Sequence, residues 1–192
     1  MKTKTLFIAG ALIFFVTVCS CSLAQPITDH DFCPDSLYLI NEEINLYRCG
    51  DFFLGGQPPV EALEYVKNEG VTTIINLRSG EEMEKFSEYG FNEDSLVQEL
   101  GMQYKPLPMA GQISFNPETL ATFTSLLKET KGKVFIHCYG AYRVTYLMMA
   151  WMLTEEGYSM DAALAFGRKM KYFSPLDGLL GEELTLINKQ EK

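Results

Sequence analysis

Histidine is nearly absent: the 192 residues contain two, His30 and His137. A histidine-based metal centre or a Ser-His-Asp triad is therefore without its donors. Basic residues are also scarce. Sixteen Lys+Arg against twenty-five Asp+Glu give −9, which falls to about −11 if Lys2 and Lys4 leave with an N-terminal leader. Nucleic acids and anionic headgroups bind clustered Lys and Arg, so a chain this acidic excludes nucleic acid as a partner. Long hydrophobic runs are missing as well. The charge-free stretch Leu6 to Val18 is 13 residues, about 20 Å of helix against the roughly 30 Å of a bilayer core. Internal repeats, low-complexity tracts and a second-domain boundary are all lacking. With 47% hydrophobic and 21% charged residues the chain is not a disordered one. Its length suits one domain burying roughly 70% of its unfolded surface.

Lys2 and Lys4 ahead of Leu6–Val18 form the positive and apolar regions of a secretory signal, so residues 1–24 are expected to be removed and the protein exported. Two processing sites compete. Val18-Cys19-Ser20-Cys21 resembles a bacterial lipobox with Cys21 as the lipidated residue and membrane anchor; Ser22-Leu23-Ala24 before Gln25 suits ordinary signal peptidase. The lipoprotein reading is preferred. Residues 25–43 read as a tether and 44–192 as the folded domain. Beyond the leader three cysteines remain. Cys33 and Cys49 either pair in the oxidising compartment, closing a loop of about 15 residues, or stay as partly buried thiols. Cys138 is left over and needs a reason.

Along the domain, Ile44–Cys49 and Phe52–Leu54 read as a hairpin around Cys49-Gly50-Asp51. Pro58-Pro59 opens a helix over Val60–Asn68 that Gly70 ends. Val71–Leu77 is β-branched and apolar, a strand buried on both faces. Glu81–Leu100 predicts two short helices broken near Gly90, and Met102–Leu107 another strand. Asn116 caps a helix running to about Glu129, Lys133–His137 is a strand, and Val144–Glu155 an apolar helix. Ser159–Lys171 and Gly181–Asn188 are the last helices. Strands alternating with helices define an α/β fold with a mainly parallel central sheet flanked by helices.

The chemistry concentrates in Val134-Phe135-Ile136-His137-Cys138-Tyr139-Gly140-Ala141-Tyr142-Arg143. A strand ends on a cysteine, a short loop follows, and an arginine opens a helix. In open α/β sheets ligands bind at this end of the strands. The amides of Tyr139, Gly140, Ala141 and Tyr142 and the helix N-terminus would converge on a small anion. The same field favours a thiolate, and Arg143 can fork onto two oxygens of a tetrahedral anion.

His-Cys, a short loop and Arg resemble the signature of cysteine-dependent phosphatases of the tyrosine and dual-specificity type. Upstream, Gly55-Gly56-Gln57-Pro58, Gly70-Val71 and Ile74-Ile75-Asn76-Leu77-Arg78 with Glu81 or Glu82 are similar to a bacterial branch that includes the phosphatase-like domains beside β-lactamase-fold hydrolases. The resemblance covers about Ile44–Tyr172. It implies a three-layer phosphatase-like sandwich, Cys138 as nucleophile through a phosphocysteine, Arg143 as phosphate-binding and transition-state-stabilising residue, and no cofactor or metal. Substrates would be a small phosphate ester or a phosphoprotein. Three departures stand beside it. Only four residues separate Cys138 from Arg143, where most members have five; four is also the length in many rhodanese-type sulfurtransferases, which here lack their upstream runs. The general acid is unidentified, since Pro106–Pro117 contains no Asp or Glu. Glu118 is the nearest acid, at the start of a predicted helix; Glu81 and Glu82 follow the Asn-Leu-Arg strand end and either face the same edge of the sheet or, the preferred reading, form a solvated helix start. Val144 stands where Ser or Thr is usual, with Thr145 as a substitute or merely bonded back within its helix. His137 reads as a residue orienting the loop, Arg78 as a second anion contact or a partner of a nearby Glu, and Tyr139 and Tyr142 as stacking or packing groups. The alternatives to a phosphatase are a sulfurtransferase and a non-catalytic oxyanion-binding protein.

Overall fold

The computed structural model describes residues 30–87, 90 and 92–170. The leader, its Cys21 and the helix expected over Gly181–Asn188 lie outside the described residues. Six strands, β1 (Tyr38–Asn41), β2 (Leu46–Cys49), β3 (Phe52–Gly55), β4 (Val71–Asn76), β5 (Gln103–Pro106) and β6 (Lys133–His137), form one sheet in the order β1-β2-β3-β6-β4-β5. The β1–β2–β3 meander is antiparallel; β3–β6, β6–β4 and β4–β5 are parallel. This is the mainly parallel α/β sheet expected from the sequence.

Alternation along the strands decides which residues reach which helix layer. Phe52, Leu54, Ile75, Val134 and Ile136 face one side, where α4 (Pro117–Glu129), α5 (Tyr142–Thr154) and α6 (Met160–Met170) bury Phe123, Leu127, Leu147, Trp151 and Phe166. Phe53, Ile74 and Phe135 face the other, against Leu63 and Val66 of α1 (Val60–Asn68) and Val97 of α3 (Glu93–Glu99). Helix α2 (Gly80–Ser87) follows β4 and buries no residue completely. Three layers result. Caps fall where the side chains allow: Asn92 accepts from Ser95 N–H at 3.0 Å and Asn116 from Thr119 N–H at 2.8 Å.

The expected tether is shorter than residues 25–43, because the chain is already packed at His30. His30 Nε2 lies 3.1 Å from Leu127 O, and Phe32 sits edge-on to Phe52, Trp151, Tyr158 and Phe166 at centroid distances of 5.2–6.0 Å. Four aromatic neighbours hold this segment where its polar flanks conceal it. Phe32→Ala is expected to cost about 2 kcal/mol, less than a fully buried phenylalanine because Phe32 is partly exposed. A urea unfolding midpoint unchanged from wild type would return the segment to a tether. Cys33, exposed, and Cys49, buried, are not joined in the structure. Cys49 Sγ donates to Cys33 O at 2.8 Å, and burial pushes its thiol up to about 12.

Candidate active site

Strand pairing continues beyond β3 and β6 into the cysteine loop. Cys138 N–H donates to Gly55 O at 3.2 Å, Gln57 N–H donates to Tyr139 O at 3.1 Å, and Gly56 bridges Gly140. Residues Gly55 to Gln57 thus hold the loop backbone edge to edge. Glycine is required at position 56, where a Cβ would lie 2.8 Å from Ile44 O and 3.0 Å from Tyr139 O. Ala141 then turns the chain into α5 at φ 70° and ψ −5°, a left-handed conformation that costs a non-glycine residue about 1 kcal/mol. The pairing upstream and Thr145 N–H on Ala141 O at 2.9 Å hold it there. The N-terminal end of α5 opens on the loop, the end of a helix at which an anion is favoured. Cys138 is buried at 1% exposure.

Arg143 is positioned by Glu82. Its Nη1 donates to Glu82 Oε2 at 2.7 Å, Leu77 O at 2.9 Å and Met109 O at 3.2 Å, while Nη2 donates to Glu82 Oε1 at 2.7 Å. Among the described residues nothing accepts from Nε. In an end-on pair of this kind the Nε–H and the outer Nη2–H share the remaining edge of the guanidinium, two parallel donors for two oxygens. Glu82 is therefore not the solvated helix start expected from the sequence, because the α2 N-terminus turns it back onto Arg143. Ser79 supports that turn: its N–H donates to Glu82 Oε2 at 2.8 Å and its Oγ accepts from Glu82 N–H at 3.2 Å. Glu81 does remain at the surface, paired with Lys85 at 2.6 Å.

Burial alone would raise the Glu82 carboxyl. The hydrogen bonds from Arg143 and Ser79 and the charges of Arg143 and Arg78 outweigh it and lower it from 4.5 to about 2. For Arg143, burial favours the neutral form, but the Glu82 hydrogen bonds, the Cys138 side chain and the Glu82 charge hold its proton more firmly than usual. A carboxylate depressed on folding stabilises the fold above its unfolded value and loses that contribution as pH falls through 4.5 toward 2. Wild-type protein is expected to lose stability over this window more steeply than Glu82→Gln, measured by urea melts at pH 6, 4 and 3; parallel curves would refute the pairing.

A second group of polar side chains lies behind the loop. His137 Nε2 is 2.7 Å from Glu93 Oε1, with both side chains fully buried. Gln57 Nε2 donates to Glu93 Oε2 at 2.6 Å, and Gln57 Oε1 accepts from Arg78 Nη1 at 2.7 Å. Arg78 lies between the rings of Phe86 and Tyr139, 5.1 and 5.5 Å from their centroids, with Nε 3.7 Å from Glu82 Oε1. Burial would raise the Glu93 carboxyl, yet the charge and hydrogen bond of His137, with Gln57 and Arg78, lower it.

The structure thus brings together Cys138, Tyr139, Gly140, Ala141, Tyr142 and Arg143, with His137 and Arg78 behind them. Tyr139 is 70% and Tyr142 42% exposed at the mouth. Thr145 does not join them: its Oγ1 donates to Ala141 O at 2.8 Å, inside its own helix. His137 orients through Glu93 rather than through the loop, and Arg78 is engaged by Gln57 and Glu82. The Pro106–Pro117 stretch passes over Arg143 through Met109 O and is anchored by Phe115 on Tyr146, centroids 5.6 Å apart. Glu118 is exposed at the start of α4. Sequence reasoning missed Glu93, hidden in the acidic run Glu81–Leu100. It quoted Gln57 without a role.

No protein-family model and no curated protein matches the sequence. Solved structures do match by fold. The structure of TpbA from P. aeruginosa in complex with phosphotyrosine is 16% identical, with a TM-score of 0.53 over 75% of this chain and 93% of that one. A mutant form of Tk-PTP is 17% identical, TM-score 0.52, over 77% and 87%. Kinase-associated phosphatase with its catalytic-site cysteine replaced by serine is 21% identical, TM-score 0.51, over 62% and 75%. The fold is that of tyrosine- and dual-specificity-type phosphatases.

Proposed function

We propose that this chain is a cysteine-dependent phosphatase for phosphate monoesters whose leaving groups need no proton, aryl phosphates above all. The observation that carries this reading is the free Nε–Nη2 edge of Arg143, held by Glu82 beside a cysteine at the N-terminus of α5. Two phosphoryl oxygens lie on that edge and the rest meet the loop amides, so charge developing on the equatorial oxygens is stabilised without reorganisation. The Cys138 thiolate attacks phosphorus; the S–P bond forms as the P–O bond to the leaving group breaks, and the aryloxide departs. Water then attacks the phosphocysteine, the S–P bond breaks, and inorganic phosphate is released.

The leaving-group preference follows from the acids. A general acid must carry a proton at working pH. Glu82 and Glu93 are both lowered and both occupied, and Pro106–Pro117 has no carboxylate. The secretory leader and Cys21 extend the proposal to an exported, lipid-anchored enzyme.

The test is hydrolysis of aryl phosphates of graded leaving-group pKa by reduced protein from Gln25 onward, beside Cys138→Ser and Arg143→Ala. Support is activity that both variants lose and that falls steeply as leaving-group pKa rises. Folded wild-type protein no faster than either variant overturns the reading and sends attention to thiosulfate as sulfur donor.

A further inference from the structure

The polar groups behind the cysteine loop form a chain with a direction. Arg78 donates to Gln57 Oε1, Gln57 Nε2 donates to Glu93 Oε2, and His137 Nε2 faces Glu93 Oε1. A carboxylate only accepts, so His137 Nε2 must carry its hydrogen, and the Gln57 amide has one orientation that serves both neighbours. Glu93 is the point where two donors converge. Arg78 in turn meets Glu82, which holds Arg143. The chain therefore runs from the residue before Cys138 to the arginine that closes its loop, and Gln57 also pins the loop itself through its N–H on Tyr139 O.

Such an arrangement is costly as a stabilising device. Taking a carboxylate fully out of water carries a large desolvation penalty, and apolar side chains of similar volume usually serve a core as well or better. Glu93 opens a seven-residue helix, α3, whose Val97 already supplies apolar packing. Its carboxylate reaches none of the groups that would touch a substrate. It acts on the two elements that flank the nucleophile, β6 and the Gly55–Gln57 run.

We propose that Glu93 is a positioning residue for Cys138, fixing the His137 imidazole and, through Gln57 and Arg78, the loop and arginine on the other side. This rests on the reading of Cys138 as the reactive group of the site. It also makes the amide and the carboxylate exchangeable as a pair and not singly. In Glu93→Gln, the new amide presents a donor where it must accept, either to His137 or to Gln57; a compensating flip of Gln57 sets its own donors against Arg78. In Gln57→Glu, two carboxylates meet. In the double exchange every link is restored: His137 donates to the position 93 carbonyl, its amide donates to the position 57 carboxylate, and Arg78 donates there too.

The test is alkylation of Cys138 by iodoacetamide across pH in reduced full-length protein, with other cysteines followed separately by peptide mass spectrometry. The titratable and charged groups that face the loop in these profiles are Arg143 of α5, Glu82 of α2, Arg78 beyond β4, His137 of β6 and Glu93 of α3, with Tyr104 of β5 beyond Asn76. Each single variant is expected to displace the inflection of the Cys138 profile and to lower aryl-phosphate kcat about tenfold or more, with a smaller change in KM. The double variant is expected to recover both to within about threefold. Folded single variants with the wild-type inflection, or a double variant no better than the worse single, overturn the proposal, whatever their melting temperatures. If Glu93→Gln does not fold, Gln57→Met breaks the Gln57 links alone; a wild-type profile there overturns it equally. Alkylation needs no phosphate ester. A displaced and rescued profile without hydrolysis would retain the positioning role and sink only the phosphatase reading.

Discussion

Cys138→Ser is expected to reduce aryl-phosphate hydrolysis by about four orders of magnitude or more, as for other nucleophile deletions. A serine hydroxyl needs a base to remove its proton, and the site provides none. His137, the only histidine near the loop, is buried against Glu93, and Glu82 is locked on Arg143. The substitution is nearly isosteric and leaves intact the backbone bonds from Gly55, Gln57 and Ala141 that shape the loop. Inorganic phosphate or vanadate should therefore still bind within about threefold of wild type, because the cradle survives its nucleophile. Activity in Cys138→Ser above about one percent of wild type would show that another group does the chemistry. In the wild type, rapid acid quench with an aryl phosphate should trap phosphate on the Cys138 peptide.

Glu82→Ala is the second large effect. Without its carboxylate, Arg143 retains only Leu77 O and Met109 O, both on Nη1, and its planar group is free to rotate about Cδ–Nε. Misplacing the forked edge by about an ångström is worth roughly a hundredfold in rate, so kcat/KM should fall about that much, with oxyanion affinity falling alongside. Stability should drop by about 1–3 kcal/mol, below the range for fully buried pairs because both side chains keep some exposure, 20% and 28%. Glu82→Gln retains one acceptor and should lie between. Wild-type kcat/KM in folded Glu82→Ala would mean that the loop alone orients Arg143.

The fold was largely legible because its signals are local. Asn116-Pro117 announces α4, Lys133–His137 announces β6, and helix α1 runs over the stretch read from the sequence. The loop from Cys138 to Arg143 was legible for the same reason. What escaped depends on distance. Glu82 and Glu93 lie in an acidic stretch whose composition reads as solvated, and their partners are 61 and 44 residues away. Spacing says nothing of contacts across a sheet. Phe32 was hidden differently, among polar neighbours, in a segment whose only regular strand has four residues. Thr145 shows the reverse, a residue with a plausible role that helix geometry assigns to its own backbone.

Arg78 and Arg143 both meet Glu82, and Glu93 reaches Arg78 through the Gln57 amide, which has one more consequence. The two arginines set against Glu82 and, across the Gln57 amide, Glu93 leave the site little net charge to project into the solvent, while the chain as a whole carries −9. An anionic ester is not drawn in from a distance, and encounter is that of unsteered partners, about 10⁵–10⁶ M⁻¹s⁻¹. Added salt, which slows enzymes that attract their substrates, here screens a mild repulsion, and recognition begins only at contact.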